Sequence, residues 1–372
     1  MRKLRRILTA SLAMMGTVLF AADRDKAPHW QYRHGEIEIS LPTADEPLRA
    51  GVSVELADRY LRDGAVAWRG SKGCIACHTT GLYQTVRPAL TPQLGPPLES
   101  MRAFFLEELA AFQLAERKDL QRSTKPAQVI YLAAGLAEWD AHVRGSLSAE
   151  TRAALELMFS LQLESGTWGS LDCWPPYESD AFHLATVAAQ AAGTAPGWLA
   201  GLENPQLRSA VARLRGHLTS ASPPHDYARV LLLWAEARMP GLVTADAKAR
   251  LVALVRKRQQ ADGGWSLRAF AQPEEWGRGN RAKKLRAEPE FDRPSSDGHM
   301  TGLAMIVLRE SGVPATDPVL RRGVAWLKAN QRESGRWWTR SLNTDKYHYI
   351  TYSGTAFPLL ALGLCGELER AE

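Results

Sequence analysis

The sequence predicts an all-α fold that is built from repeated pairs of helices. Apolar residues recur at helical spacing over most of the chain after residue 50, and the β-branched runs typical of strands are scarce. A short pattern that ends in Gly-x-Trp occurs three times, each time after a helical stretch. Helix pairs that repeat in this way form a ring or a solenoid, in which each unit covers the apolar face of the next.

The predicted helices have recognisable ends. Ser148 and Thr244 stand where N-capping residues are expected, and Gly193 and Gly312 stand where glycine often ends a helix. Residues 23–50 contain three prolines and predict an extended N-terminal arm. The periodicity places helices over residues 53–68, 101–116, 125–141, 148–163, 179–192, 204–219, 224–238, 244–260, 297–311, 317–332 and 352–369.

The repeated pattern is Gln-x-x-x-Gly-x-Trp. Each glycine is expected to leave its helix in a left-handed conformation. Each indole then packs against the helix end, and each glutamine amide bonds to backbone groups that the turn leaves free. A second helix, rich in small and apolar residues, follows each copy. The copies run from Gln162 to Trp168, from Gln259 to Trp265 and from Gln331 to Trp337.

These repeats and paired helices resemble those of squalene-hopene cyclases and prenyltransferases over roughly residues 50–370. The resemblance implies an α/α toroid over residues 51–372, a barrel in which the repeats tie outer helices to inner ones. It also implies an apolar, isoprenoid-type ligand as a partner. Trp174, Trp337 and Trp338 are candidate contacts for it, although tryptophans at repeat ends are usually core residues.

The functional residues of those enzymes are not recognisable in this chain. The Asp-x-Asp-Asp motif with which the cyclases protonate their substrate is missing, and neither Asp172 nor the pair Asp292 and Asp297 replaces it. Cys173 beside Asp172, with Cys365, is no convincing match to the zinc ligands of the prenyltransferases. The chain is also about half the size of a cyclase, which has a second large domain.

Residues Cys74-Ile75-Ala76-Cys77-His78 form the most specific motif. Two cysteines two residues apart, followed directly by histidine, have the spacing that attaches c-type haem. On a helical turn the thiols lie on one face and reach the two vinyl groups of one porphyrin, and the histidine provides an axial iron ligand. The motif resembles the attachment site of c-type cytochromes, which implies one covalent haem c on Cys74 and Cys77 with His78 as metal ligand.

The motif follows Trp68 and the first predicted helix, where the first repeat would have its own turn. We therefore expect a haem-attachment insertion at about residues 70–98 of the toroid. Its proline-rich part, residues 87–98, is not expected to form regular helix or a central strand. It is either a loose match to the Gly-Pro-x-Leu segment near the haem of c-type cytochromes or a plain surface loop.

Three other interpretations of the motif stay open. Cys74 and Cys77 form a small disulfide, or the two cysteines and His78 hold zinc with a ligand from elsewhere, or His78 is a loop histidine beside two free thiols. The cell compartment favours haem, because residues 1–22 are typical of a secretory signal. They combine basic residues, an apolar run and the small pair Ala21-Ala22.

The export signal predicts a periplasmic or extracellular protein with no transmembrane span once the signal is removed. The alternative is that its apolar run stays uncleaved and anchors the chain in the membrane. Removal would also lower the formal net charge of +6 to about +2, since four basic residues and no acidic ones lie in the signal. Nucleic-acid binding is therefore not predicted, because it needs a concentrated basic face. Four cysteines are too few for a disulfide-built scaffold of this length, so stability must come from an apolar core.

Several further polar residues have two interpretations each. Cys173 and Cys365 either pair or remain buried thiols. A group at the starts of the second helices either surrounds a ligand in a central cavity or consists of aspartate helix caps beside half-buried histidines; it comprises Asp180, His183, Asp297 and His299. Candidates for the sixth iron ligand are Met101, Met300, His142, His183 and His299, and a vacant position is the other option.

The function predicted from these features is electron transfer or haem-linked oxidation by an exported α/α toroid, working with a redox partner protein. One alternative is a haem-free toroid enzyme that acts on an isoprenoid or a polysaccharide. The other is a binding or scaffold protein in which Cys74, Cys77 and His78 form a structural group.

Overall fold

The computed structural model describes residues 29–172, 174–178 and 180–369. The predicted signal, residues 1–22, and Cys173 lie outside these ranges. The elements are β1 (Trp30–His34), β2 (Ile37–Ser40), α1 (Val54–Lys72), α2 (Thr80–Val86), α3 (Thr91–Leu94), α4 (Glu99–Leu114), α5 (Arg117–Leu120), α6 (Lys125–Trp139), α7 (Ala149–Ser160), α8 (Ala181–Thr194), α9 (Pro205–Ser220), α10 (Asp226–Arg238), α11 (Ala245–Lys257), α12 (Ala282–Leu285), α13 (Gly298–Glu310), α14 (Pro318–Asn330) and α15 (Ile350–Leu364).

The helices form two concentric rings, which confirms the predicted all-α toroid. In the inner ring each helix contacts the next, in the order α2, α6, α8, α10, α13 and α15, and α15 returns to α2. Helices α1, α4, α7, α9, α11 and α14 pack outside this ring. Among the described residues, no helix is both long and apolar enough to cross a membrane.

The two rings differ in sequence because they differ in environment. Every residue of α15 from Ile350 to Leu362 is buried, as expected for a helix that is covered on all sides. In the outer helix α11 only Val255 is buried. Small residues allow the inner helices to approach closely. A Cβ atom at Gly302 of α13 would lie 2.4 Å from the backbone nitrogen of Pro358 in α15.

The three Gln-Trp turns have the predicted geometry. Their glycines have φ angles of +84°, +94° and +85°, and each indole Nε1 donates to a carbonyl oxygen ten residues earlier, at 2.8 Å. Each glutamine amide donates both to the glycine carbonyl of its own turn and to a carbonyl in, or at the N-cap of, the neighbouring outer helix. The second acceptors are Ala210, Val319 and Ser53.

The third of these glutamines closes the ring. Gln331 follows α14, and its amide bonds to Ser53, the N-cap of α1, in both directions. Its Nε2 donates to the Ser53 carbonyl at 2.9 Å, and its Oε1 accepts from the Ser53 amide nitrogen at 2.6 Å. The last repeat is thereby joined to the first helix.

The helix predictions hold, with three corrections. Residues 80–86, left unassigned, form the inner helix α2, and residues 87–94 of the proline-rich stretch form a 3₁₀ turn followed by α3. Proline is tolerated in a first turn because its missing N–H would have no helical partner there. Ser148, Thr244 and Gly312 mark helix ends as predicted. Gly193 instead lies inside α8, where an added Cβ would meet the Arg238 carbonyl at 2.1 Å.

The N-terminal arm contains a hairpin that the proline pattern did not predict. Strands β1 and β2 pair antiparallel and pack against α1. Gln31 of β1 donates to the carbonyls of Tyr347 and His348, just before α15, and its side-chain oxygen accepts from Tyr60 of α1. The hairpin therefore covers the seam at which the ring closes.

Candidate functional site

The Cys74–His78 motif forms the turn between the outer helix α1 and the inner helix α2. Helix α1 ends at Gly73, whose φ of +59° and N–H bond to the Arg69 carbonyl turn the chain inward. Thr80 then secures the turn, since its Oγ1 accepts from the Ala76 amide at 2.9 Å and donates to the Cys74 carbonyl at 3.3 Å. Ile75 and Ala76 are buried beneath the turn.

Both cysteines and His78 line one cavity at the N-terminal ends of inner helices. Its volume is about 310 Å³, at the lower end of the range of small-molecule sites. Much of its wall is apolar or aromatic and is made by Trp68, Ile75, Ala127, Trp174, Pro175, Tyr177, Tyr349 and Ile350. Its polar lining consists of Thr124, Gln128, Glu178, Ser341, Asn343 and Thr344. We call this the hook cavity.

The imidazole of His78 is held on several sides. Its ring stacks on Tyr349 with centroids 4.8 Å apart, and it contacts Trp68 edge-on at 4.6 Å. Its Nδ1 lies 2.8 Å from Thr79 Oγ1. Burial lowers the pKa of His78 to about 4, so the ring is neutral at pH 7, which is the form that binds metals. With Nδ1 engaged, Nε2 is the nitrogen left for a ligand.

Cys74 and Cys77 carry free thiols, so the structure does not contain the small disulfide that the spacing left open. Burial, followed by the nearby Glu178 carboxylate, raises the pKa of Cys77. Such a position disfavours a thiolate and suits a neutral sulfur, as in a thioether. Within the described ranges no three or more His, Cys, Asp and Glu side chains converge to hold a metal ion, the arrangement that a structural zinc site needs.

The chemistry of this donor set fits haem c. A porphyrin brings four ring nitrogens, so the protein needs to supply only one neutral imidazole from this face and two sulfurs beside it. Cys74, Cys77 and His78 supply these three groups on one turn, at the wall of an aromatic cavity. All three proposed site residues therefore line the same cavity.

A second, smaller cavity lies among the inner helices, and we call it the inner cavity. Tyr131, Glu138, His183, Tyr227 and Trp234 contribute to its lining, and Tyr177 lines both cavities. A buried polar chain leads from one to the other. Tyr227 Oη lies 3.0 Å from His299 Nε2, His299 Nδ1 lies 2.6 Å from Ser353 Oγ, and that hydroxyl is bonded to Tyr177.

The aspartates at the helix starts are caps. Asp180 accepts from the His183 amide at 2.7 Å at the start of α8, and Asp297 accepts from the Met300 amide at 2.9 Å at the start of α13. Burial raises the pKa of Asp297 to about 6. The capping interpretation is therefore confirmed. The expectation of half-buried histidines is wrong, because His183 is 4% exposed and His299 0%.

None of the candidates for a sixth iron ligand lines the hook cavity among the residues described. Met101 and Met300 are buried in the apolar core. His142 pairs with Glu138 at 3.1 Å, and His183 and His299 belong to the inner polar chain.

Of the three tryptophans proposed for an apolar ligand, only Trp174 is on the cavity wall; Trp337 is a buried repeat residue. The pairing of Cys173 with Cys365 stays a prediction, since Cys173 lies outside the described residues.

Several residues of the site were missed. Tyr177 and Glu178 follow a Trp-Pro-Pro run after the first repeat, and Tyr349 ends a Tyr-His-Tyr run before α15. Clusters of aromatic residues just before inner helices could have indicated these wall residues. The N-terminal ends of those helices lie at the same end of the barrel as Cys74, Cys77 and His78. Thr79 and Tyr32 had no such signal.

Comparison with known proteins agrees with this architecture. The family model described as squalene-hopene cyclase C-terminal domain matches residues 227–366. A solved glycosidase in complex with glucose is 12% identical, with 85% of this chain and 97% of that chain covered and a TM-score of 0.53. The type II terpene cyclase MstE from Scytonema is 13% identical, with 84% and 99% covered and a TM-score of 0.45. No curated protein matches the sequence significantly. The chain has the terpenoid-cyclase-like α/α-toroid fold.

Proposed function

We propose that the protein is an exported haem c toroid, in which Cys74 and Cys77 hold the haem covalently and His78 binds its iron, and that it works in electron transfer or haem-linked oxidation. The observation that carries the proposal is that both thiols and the imidazole open on the same aromatic cavity. When bound, haem supplies a one-electron couple.

The surrounding residues would hold such a group against a largely apolar wall. Tyr349 and Trp68 fix the His78 ring, and the neutral state of that ring keeps a nitrogen lone pair available. The tryptophan and tyrosine side chains lower the local dielectric, which strengthens electrostatic interactions inside the cavity. Ser341, Asn343 and Thr344 add polar groups to the lining. A redox partner would exchange electrons at the surface nearest this cavity.

The decisive experiment is expression of the full chain with a c-type haem maturation system. The purified protein should be red, and its haem should stay with the polypeptide after denaturation and acid-acetone extraction. Changing Cys74→Ala and Cys77→Ala together should abolish the retained colour, whereas the matched control Cys365→Ala should keep it. Stoichiometric zinc without haem in the unaltered protein would refute the proposal and favour the structural Cys-Cys-His interpretation.

The second candidate function is that of a haem-free enzyme. It is favoured by the position of Glu178. This carboxyl lines the hook cavity, is 1% exposed, accepts from the Leu171 amide, and has a pKa raised by burial, as a general acid requires. The fold is also that of solved glycosidases. Glycoside hydrolysis, however, generally uses two carboxyl groups, and Glu178 is the only one among the described residues of the lining.

Two assays separate the candidates. Release of a chromogenic aglycone from aryl glycosides by the haem-free protein, lost in Glu178→Gln, would establish the enzyme. Incubation with squalene should give no polycyclic product, since the cyclase acid motif is missing. Hopene-like products in the mass spectrum would contradict that expectation and revive the isoprenoid alternative.

A further inference from the structure

Two buried hydroxyl groups lie in line behind His78. Thr79 Oγ1 is 2.8 Å from His78 Nδ1 and 2.9 Å from Tyr32 Oη. Thr79 is 0% exposed and Tyr32 3%, so water does not compete for these bonds. Tyr32 belongs to the hairpin strand β1, whereas Thr79 and His78 belong to the turn before α2. The hairpin therefore contributes directly to the surroundings of the imidazole.

The hydroxyl of Thr79 can serve either tautomer of His78. A hydroxyl both donates and accepts, so it can donate to an unprotonated Nδ1 while it accepts from Tyr32. When Nε2 binds a metal, Nδ1 must carry the proton, and Thr79 Oγ1 then accepts from it. A carbonyl or carboxylate oxygen would allow only the second arrangement. The same hydrogen bond also limits rotation of the ring, which Tyr349 and Trp68 already confine.

We propose that Thr79, supported by Tyr32, is a positioning residue that sets the orientation and basicity of His78 as an axial ligand. The inference rests on the proposed function, because it concerns the ligand of the haem iron. Groups that accept a hydrogen bond from a ligating imidazole raise its basicity, and their removal typically changes metal affinity about 10- to 100-fold.

The sign of the effect follows from charge. An imidazole that donates through Nδ1 is a stronger electron donor at Nε2, and it stabilises the oxidised iron more than the reduced iron. Loss of the acceptor in Thr79→Val should therefore raise the midpoint potential. A tenfold loss of preference for the oxidised form corresponds to 59 mV for a one-electron couple.

The test measures the midpoint potential and the visible spectrum of the full-length holoprotein. Thr79→Val should raise the potential by about 59 mV or more, and Thr79→Ser, which keeps the hydroxyl, should restore the unaltered value. Thr85→Val is the matched control, since Thr85 lies in α2 and bonds to the Leu82 carbonyl rather than to His78. Tyr32→Phe should raise the potential by less than Thr79→Val, whereas Tyr60→Phe, in the same tyrosine cluster, should not change it.

The outcomes are distinguishable. Retained covalent haem with an unchanged potential in Thr79→Val overturns the positioning role and leaves the proposed function intact. Unaltered protein without covalent haem overturns the proposed function itself. If Thr79→Val does not fold, Tyr32→Phe decides, and an unchanged potential there also overturns the role of the hydroxyl pair.

Discussion

The three Gln-Trp turns and residues 73–79, which we call the hook turn, share one local geometry but differ in what their polar groups contact. In each of the four, an outer helix leads to a glycine with a positive φ: Gly166, Gly263, Gly335 and Gly73. In the Gln-Trp turns the indole N–H and the glutamine amide donate to backbone carbonyls. These polar groups therefore stabilise the scaffold itself. In the hook turn the sulfur and imidazole groups face a cavity instead.

Stability and chemistry therefore depend on different turns of the toroid. The indoles of the Gln-Trp turns are buried, and each indole N–H and each glutamine amide N–H bonds to backbone carbonyls, so these groups join helices to one another. The turn that carries Cys74, Cys77 and His78 is held by Gly73, Thr79 and Thr80, and its thiols and imidazole line the cavity. Substitutions in the two kinds of turn should therefore have separate effects.

The largest effect is expected for the buried indoles. Trp265→Ala removes a side chain that is 0% exposed and should lower the free energy of unfolding by about 3–5 kcal/mol. The haem spectrum of the folded fraction should not change. Trp174→Ala, which is 38% exposed on the hook cavity, is the control and should cost far less stability. If a denaturant titration shows the same loss of unfolding free energy for Trp265→Ala and Trp174→Ala, the two kinds of turn do not differ in their contribution to stability.

The second effect concerns pH and extends the comparison to the inner polar chain. Burial lowers the pKa of His183 to about 4 and of His299 to about 3, so the folded protein keeps them neutral while the unfolded chain takes up protons below pH 6.5. Their contribution to stability is present above pH 6.5 and is lost as pH falls toward 4. Asp297, whose pKa is raised to about 6, opposes this trend between about pH 4 and 6.

His299→Gln should therefore flatten the dependence of unfolding free energy on pH between about 4.5 and 6, by about 1 kcal/mol per pH unit. Glutamine can still bond to Tyr227 and Ser353, which limits other losses. The exposed His34 provides the control, since His34→Gln should leave the slope unchanged. A slope that is the same in His299→Gln and the unaltered protein would show that His299 is not held neutral.

The third effect tests ring closure. Gln331→Ala removes both bonds to Ser53 and the bond to the Gly335 carbonyl, and it should cost about 1–3 kcal/mol because the backbone partners lose their bonds in a buried place. The exposed Gln272→Ala should be neutral. Melting temperatures check this prediction. An unchanged melting temperature in Gln331→Ala would show that this glutamine does not stabilise the ring closure.

The smallest stability effect is expected in the hook turn. His78→Ala deletes a ring that is only partly buried, so helical content and melting temperature should change little, by less than about 1 kcal/mol. If the proposed haem is bound, its visible spectrum should change strongly, because the proposed axial ligand is lost. A large fall in the melting temperature of His78→Ala with an unchanged spectrum would show that His78 stabilises the fold and does not bind the iron.

The sequence predicts features of this molecule that depend on local spacing. Gln-x-x-x-Gly-x-Trp and Cys-x-x-Cys-His each bring their groups together within a single turn, so the repeats and the hook were recognisable. The walls of the hook cavity were not, since Trp68, Tyr177 and Tyr349 come from segments far apart in the chain that only the closed ring brings together. Helix α2 was missed because seven residues are too few for a clear helical period.

The ring closure between Gln331 and Ser53 also has a consequence for biogenesis. The hook lies near the start of the chain, whereas Tyr349 and Ile350, which complete its cavity, precede and begin the last helix. A bulky group that forms covalent bonds at Cys74 and Cys77 would reach both thiols most readily before that helix docks. If the chain carries the proposed haem, attachment would come first, and docking of the final helix would then complete the wall around it.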